Sequence, residues 1–437
     1  MLRSKRSKTL VSVAAHNIPK VKEKIKAKLP VLTPNDIRRY RIPYSDAIVA
    51  ELQEADLHEV AERLKFLFDL DEEARQIAGP NTLIWNRPKL RNNHELIDIL
   101  KELFIRIHRD EMEEKSEFLA RMALSIEASG WDWWWIADTL YRNALWLAKE
   151  LEPTDLSLIS LLRFVYARFL IDKMEDAESA LEYARLAQRD SRDRPWSVAK
   201  LLREEGHTGS LYRHSCKLLN RILVSLGRSS RDSSDSVDLS VGACKLAVKN
   251  ACEAGDHELL AESQFELGKS ELAAGNVEEA IGHFTTNLMI LRQIGDIEGI
   301  CNAHSNFVRI YKDLGNDDKV LEHLGEFKEI ASTYQLNKKL GEVYYLTGEY
   351  YLARDNPKEA TPNLERAFLL YNQVGAAEDA NKARCLTGIS KGQEMMDSYQ
   401  NLITQSVKGD STATLKICLW RDRGEPFDEL PTSKESN

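Results

Sequence analysis

Turn-forming residues are scarce in this chain. Gly 21 and Pro 12 among 437 residues both fall under average use of roughly 7% and 5%, which favours helix over a turn-rich sheet. No stretch approaches the ~18 uninterrupted apolar residues of a membrane span, which excludes membrane insertion by a helix. The apolar run from Leu10 to Ala15 is too short and too polar-flanked for a secretory signal. With only six Cys and no such signal, the expected compartment is a reducing one. No CxxC pair and no HExxH occurs, so neither common zinc spacing is present.

What is present is globular. Apolar residues make up 43% and charged residues 30%, enough for a sizeable core, and the length prior is about three domains at ~150 residues each. A net charge of −9 argues against nucleic-acid binding by the whole chain. The charge is uneven, because Arg3, Lys5, Arg6, Lys8, Lys20, Lys22, Lys24, Lys26 and Lys28 face only Glu23 within residues 1–30. Such an arm is either a solvated, disordered segment or an electrostatic tether to an acidic polymer, such as nucleic acid or the tails of tubulin.

From residue 33 the pattern is helix after helix. Thr33 is a candidate N-cap ahead of Pro34. Leu96, Ile99, Leu100, Leu103 and Ile107 recur at helical spacing after the Asn92-Asn93 start signal. Gly130 stops the next helix. Trp131, Trp133, Trp134 and Trp135 open another, which Pro153 breaks; the cluster reads as inter-helix packing or as a partner anchor. No β-branched alternation marks a strand.

A repeat of 40 residues then appears. Gly268, Val308 and Gly348 share a register, followed by Glu271, Tyr311 and Tyr351, then by Ala280, Val320 and Ala360, then by Phe284, Leu324 and Leu364. Gly275-Asn276, Gly315-Asn316 and Asp355-Asn356 supply the turns. A small residue on the first helix of a pair lets the second approach, and a large one fills the groove beside it. This is the small-and-large pattern of the tetratricopeptide repeat, whose usual unit is 34 residues. The six extra residues are expected in longer second helices and longer connections between repeats. Val308 and Asp355, which depart from the pattern, predict locally looser packing.

Weaker copies lie upstream. Ala177, Leu181 and Ala184 occupy second-helix positions, and 210–227 and 238–253 read as a further pair. The polar stretch from Arg228 to Asp238 between them is expected to be an exposed loop whose serines are solvated or phosphorylated. The organisation expected is a basic arm at 1–32, a helical region at 33–154, five to six repeats at 155–405, and a helix or extended tail at 406–437 with a disordered end. The fold class is all-α, a right-handed α-solenoid of tetratricopeptide-like helix pairs behind an N-terminal helical region.

Three segments resemble one family. Gly388 to Ile403 (GISKGQEMMDSYQNLI), Cys418 to Phe427 (CLWRDRGEPF) and Ala61 to Arg75 (AERLKFLFDLDEEAR) are similar to the tetratricopeptide repeat protein 29 family. The resemblance spans roughly residues 40–427, including parts outside the generic repeat, but not the basic arm. It implies a non-enzymatic protein of the cytoplasm and cytoskeleton, in the axoneme of motile cilia and sperm flagella. Its implied partners are an inner-arm dynein heavy chain and a zinc-finger repeat protein, and it offers no catalytic residues to transfer. The alternative is a cytoplasmic scaffold of the spindle-orientation or signalling type, which also uses ~40-residue units.

The search for chemistry returns little. Leu267-Gly268-Lys269-Ser270 resembles the end of a phosphate loop, but Ser263 stands where the first Gly is required and the segment reads as mid-helix. His207, His214 and Cys216 lack a fourth metal ligand. The six cysteines read mostly as small hydrophobes, and Glu111, Glu113 and Glu114 as a solvated face. No cofactor, metal or small-molecule substrate is expected. What remains is a surface lined by the first helix of each pair: Phe265 and Lys269, then Asn302, Asn306 and Arg309, then Tyr345 and Glu349. A groove of mixed sign suits a helix or extended peptide of mixed charge; the alternative is that these are ordinary solvated residues.

Overall fold

The computed structural model describes Lys22 and residues 33–108, 115–151, 156–202, 209–231 and 236–423. Apart from Lys22, the basic arm lies outside the described residues, as do Glu111, Glu113, Glu114, His207 and the tail from 424 onward. Among the described residues the chain is all-α, with one isolated bridge between Ser197 and Ser210 and no strand.

Two compact units divide between Leu211 and Tyr212. The first holds α1 (Pro34–Arg41), α2 (Tyr44–Glu54), α3 (His58–Ala78), α4 (Leu83–Asn86), α5 (His94–His108), α6 (Lys115–Ala128), α7 (Trp134–Leu151), α8 (Leu156–Asp172) and α9 (Ala177–Ser191). Its starts and stops follow local chemistry. Thr33 and Asp36 form a reciprocal capping box around Pro34. Asn93 Oδ1 accepts the Leu96 N–H at 3.1 Å, and Gly130 turns with φ 117° after α6. Trp133 is buried, the Trp134 indole donates to the Glu127 carbonyl, and Arg87 lies 5.2 Å over Trp135. Three of the four tryptophans therefore pack; Trp131 is 48% exposed. In α9 the buried stripe is Ala180, Ala184 and Ala187, whereas Ala177 and Leu181 sit half-buried beside it.

The second unit is a succession of helix pairs. They are α10 (Leu211–Arg231) with α11 (Val237–Ala254), α12 (His257–Ala273) with α13 (Val277–Ile294), α14 (Ile297–Asp313) with α15 (Asp317–Thr333), and α16 (Asn337–Leu352) with α17 (Pro357–Gln373). The long α18 (Ala377–Val407) and α19 (Ser411–Arg423) follow. Gly255, Gly275, Gly295, Gly315, Gln335, Asp355 and Gly375 all have positive φ, one every twenty residues. At each, the following N–H reaches back to the last helical turn, as in Asn276 to Glu271, Asp296 to Leu291 and Asn356 to Tyr351. Connections within and between pairs are thus equally tight. This corrects the expected longer connections: the extra residues lengthen first and second helices alike, to 16–18 residues from α12 to α17.

The repeat register is a packing code. A Cβ built on Gly268 would lie 2.9 Å from the Phe284 ring, and one on Gly348 would lie 2.5 Å from Leu364 Cγ. Ala280, Val320 and Ala360 are fully buried beneath these contacts. The expected loosening does not occur. Val308 is 2% exposed in a core with Leu324, a smaller partner than Phe284, and Asp355 takes φ 54° and keeps the turn. The polar stretch 228–238 is shorter as a loop than its composition predicts. The first helix extends to Arg231 because Arg228 and Arg231 pair with the buried Glu266, and α11 begins at Val237.

Candidate functional site

Two clefts cross the first helices of successive pairs in the second unit. One, of about 620 Å³, lies across α12, α13 and α14, with Phe265, Asn302, Asn306 and Arg309 on its wall. The other, of about 640 Å³, continues across α14, α16 and α18, lined by Arg309, Tyr345 and Glu349 among others. Arg309 and Glu342 border both clefts and join them into one groove. Six of the seven residues expected on this surface are therefore brought together.

Lys269 is the exception. It shares a helix face with Phe265, yet its ammonium turns back to within 5.2 Å of that ring and 3.8 Å of Glu266. Glu266 explains the turn. Burial pushes its carboxyl pKa up, but the hydrogen bond from Arg231 and the charges of Lys269, Arg228 and Arg231 hold it below the ordinary carboxylate value. Lys269 is spent on neutralising a buried acid.

The groove's other charges divide into paired and unpaired. Lys312 donates to Glu349 at 2.8 Å. Lys339 bridges Glu342 and the Asn302 side-chain oxygen, while Ser305 donates to the same Glu342 at 2.8 Å. Asn306 donates to the Asn302 carbonyl within its own helix. Arg309 is exposed and has no ion-pair partner among the described residues. Tyr345 is half-buried, and burial raises its phenol pKa, so it stays neutral and presents both ring and hydroxyl. Sequence reading missed Glu342, Lys338 and Lys339. They sit at the start of α16, where periodicity alone does not separate a groove wall from a solvated turn.

Chemistry considered elsewhere is absorbed by packing. Leu267 to Ser270 lies inside α12, where Gly268 meets Phe284 and the Ser270 hydroxyl donates to the Glu266 carbonyl. Among the described residues, no group of three or more His, Cys, Asp or Glu is arranged to hold a metal ion. Cys216, Cys244 and Cys301 are buried as small hydrophobes, whereas Cys252 and Cys385 are exposed and Cys418 is intermediate. The first unit has its own cleft of about 760 Å³, with Phe66 and Trp146 both more than half exposed at its rim. No described helix is long and apolar enough to cross a membrane.

No family model and no curated relative matches the sequence. Several solved structures are similar at low identity. Aspartyl phosphate phosphatase F from Bacillus subtilis is 13% identical with a TM-score of 0.35, over 84% of this chain and 96% of that one. The apo form of RapI is 12% identical with a TM-score of 0.33, over 68% and 97%. A signal transduction ATPase with a tetratricopeptide repeat sensor, from Pyrococcus horikoshii, is 16% identical with a TM-score of 0.36, over 92% and 61%.

Proposed function

We propose that this helical-repeat protein is a non-enzymatic adaptor that holds a peptide segment of a partner protein in the groove across α12 to α18. The observation that carries the reading is the continuous pair of clefts, with an exposed Arg309 at their junction that has no ion-pair partner among the described residues. Aromatic walls, amides and charges of both signs match a peptide better than a small metabolite. Reversing Arg309 to Glu is expected to weaken capture of the partner without moving the thermal unfolding curve; unchanged capture removes the groove.

The finer reading rests on the family resemblance of Ala61 to Arg75, Gly388 to Ile403 and Cys418 to Phe427. On it, the protein works in the ciliary or flagellar axoneme, helping to dock an inner dynein arm, with an inner-arm heavy chain and a zinc-finger repeat protein as partners. Independently of the resemblance, which does not cover it, the basic arm is proposed to add affinity for the microtubule surface. Proximity labelling in a flagellated cell tests the axonemal reading. Enrichment of axonemal dynein subunits supports the axonemal role, and enrichment of spindle or receptor proteins replaces it with the scaffold alternative.

A further inference from the structure

The groove is electrically lopsided, and this says what kind of segment it takes. At the α12–α13 end, Glu258 and Asp296 line the cleft; Glu258 is exposed and has no ion-pair partner among the described residues, and Asp296 spends one oxygen on the Gly299 N–H. Glu262 adds a third carboxylate, shared with Arg228 outside the cleft. At the α16–α18 end, three carboxylates are already cancelled: Glu349 by Lys312, Glu342 by Lys339, and Asp379 by Lys382 at 3.6 Å. Lys338 remains there, like Arg309 at the junction, without an ion-pair partner among the described residues, against the single carboxylate of Asp313. Each end also carries an aromatic wall in the same register position, Phe265 and Tyr345, with the small Ser305 midway between them. Three neighbouring first helices at 8–10 Å spacing put the two rings about 20 Å apart, the span of about six extended residues.

Resting on the peptide-groove reading, we propose that the occupant has segregated charge. A basic block lies over α12–α13 and an acidic block over Arg309 and Lys338, with two apolar side chains about six residues apart against Phe265 and Tyr345. Coulomb attraction at each end then favours one orientation, and the reversed orientation sets like charge against like.

The test uses the full chain and labelled synthetic peptides read by fluorescence anisotropy at low salt. One peptide carries lysines at one end, glutamates at the other, and two leucines about six positions apart; its isomer of equal composition alternates lysine and glutamate. The segregated peptide is expected to bind about tenfold tighter, an advantage that Lys338→Glu and Glu258→Lys each reduce while the unfolding curve stays in place. A photo-crosslinker on the lysine end is expected to label α12 or α13, and one on the glutamate end to label α16. Equal binding of both isomers, or crosslinks to the opposite ends, overturns the polarity but leaves the groove standing. Failure of both peptides to bind overturns the polarity together with the groove.

Discussion

Arg75 is 2% exposed, and its guanidinium donates to four main-chain carbonyls, those of Ile84, Trp85, Arg87 and Pro88. Asp71 balances the charge, accepting from Arg87 at 2.7 Å and from the Leu90 N–H at 3.0 Å. One buried fork thus holds the whole segment from α4 to the start of α5. A lysine has neither the reach nor the planar donors to replace it. Arg75→Ala leaves Asp71 buried with one cation fewer and is expected to cost about 3–5 kcal/mol in urea unfolding. Arg75→Lys is expected to fall between the two, with faster proteolysis between residues 79 and 90. The exposed Leu83 and Trp85 of this segment owe their fixed position to that fork.

His304 supplies a second test at the same scale. It is fully buried, its Nδ1 lies 3.1 Å from His323 Nδ1, and burial lowers its pKa to about 4. Burial lowers that of His323 as well. One imidazole must donate and the other accept, which requires the acceptor to be neutral, and burial opposes charging of either ring. Because the folded pKa lies below the unfolded value near 6.5, the unfolded chain binds more protons between about pH 6.5 and 4. Stability is therefore full above pH 6.5 and declines as pH falls through that window, by at most about 1.4 kcal/mol per pH unit for His304. Thermal unfolding scans at pH 7, 6 and 5 should follow this slope, and His304→Gln should flatten it.

At the scale of elements, the pairing of a small residue with a large one decides how closely two helices approach. Gly348 faces Leu364, and its added Cβ would also come within 3.3 Å of the Ala360 carbonyl, which cannot rotate away. Gly348→Ala is expected to destabilise by about 1–3 kcal/mol, as overpacking does. Gly268→Ala meets the flat ring of Phe284 and should cost a similar amount; shrinking that ring in Gly268→Ala/Phe284→Leu should recover part of it, measured by denaturant titration. The turn at Gly315-Asn316 was legible, and Asn316 caps α15 by accepting an N–H three residues on, as Asp256 and Asp296 do for α12 and α14. The end of α10 was not legible. The residues beyond Gly227 are polar, and it is Glu262 and Glu266 on another helix that give Arg228 and Arg231 a reason to stay helical.

For the molecule as a whole, charge location matters more than net charge. If the basic arm at 1–32 tethers the protein to an acidic polymer, deleting it should lower microtubule co-sedimentation at low salt, and the difference should vanish near 0.5 M salt. Unchanged sedimentation assigns the arm to solvation alone. The groove divides along the same line. Phe265, Asn302, Asn306, Arg309, Tyr345 and Glu349 could be placed on one surface by register, because a constant repeat carries each position to its equivalent on the next pair. Lys269 could not be excluded from it by register, since Glu266, three residues before it on the same helix, becomes an acid in need of a cation only when folding buries it.

The sequence by itself determined the all-α class, the forty-residue unit, and the helix starts and turns, because capping, left-handed glycines and small-large alternation act over three to five residues. Only the tertiary structure decided which charges are free. Lys312, Lys339 and Lys269 are neutralised by acids on neighbouring turns and helices, whereas Arg309, Lys338 and Glu258 have no partner ion among the described residues. The Lys312–Glu349 pair joins residues 37 positions apart, which linear spacing does not encode, whereas Lys339–Glu342 and Lys269–Glu266 lie three residues apart on one helix, where spacing permits the pair and the folded surroundings decide whether it forms.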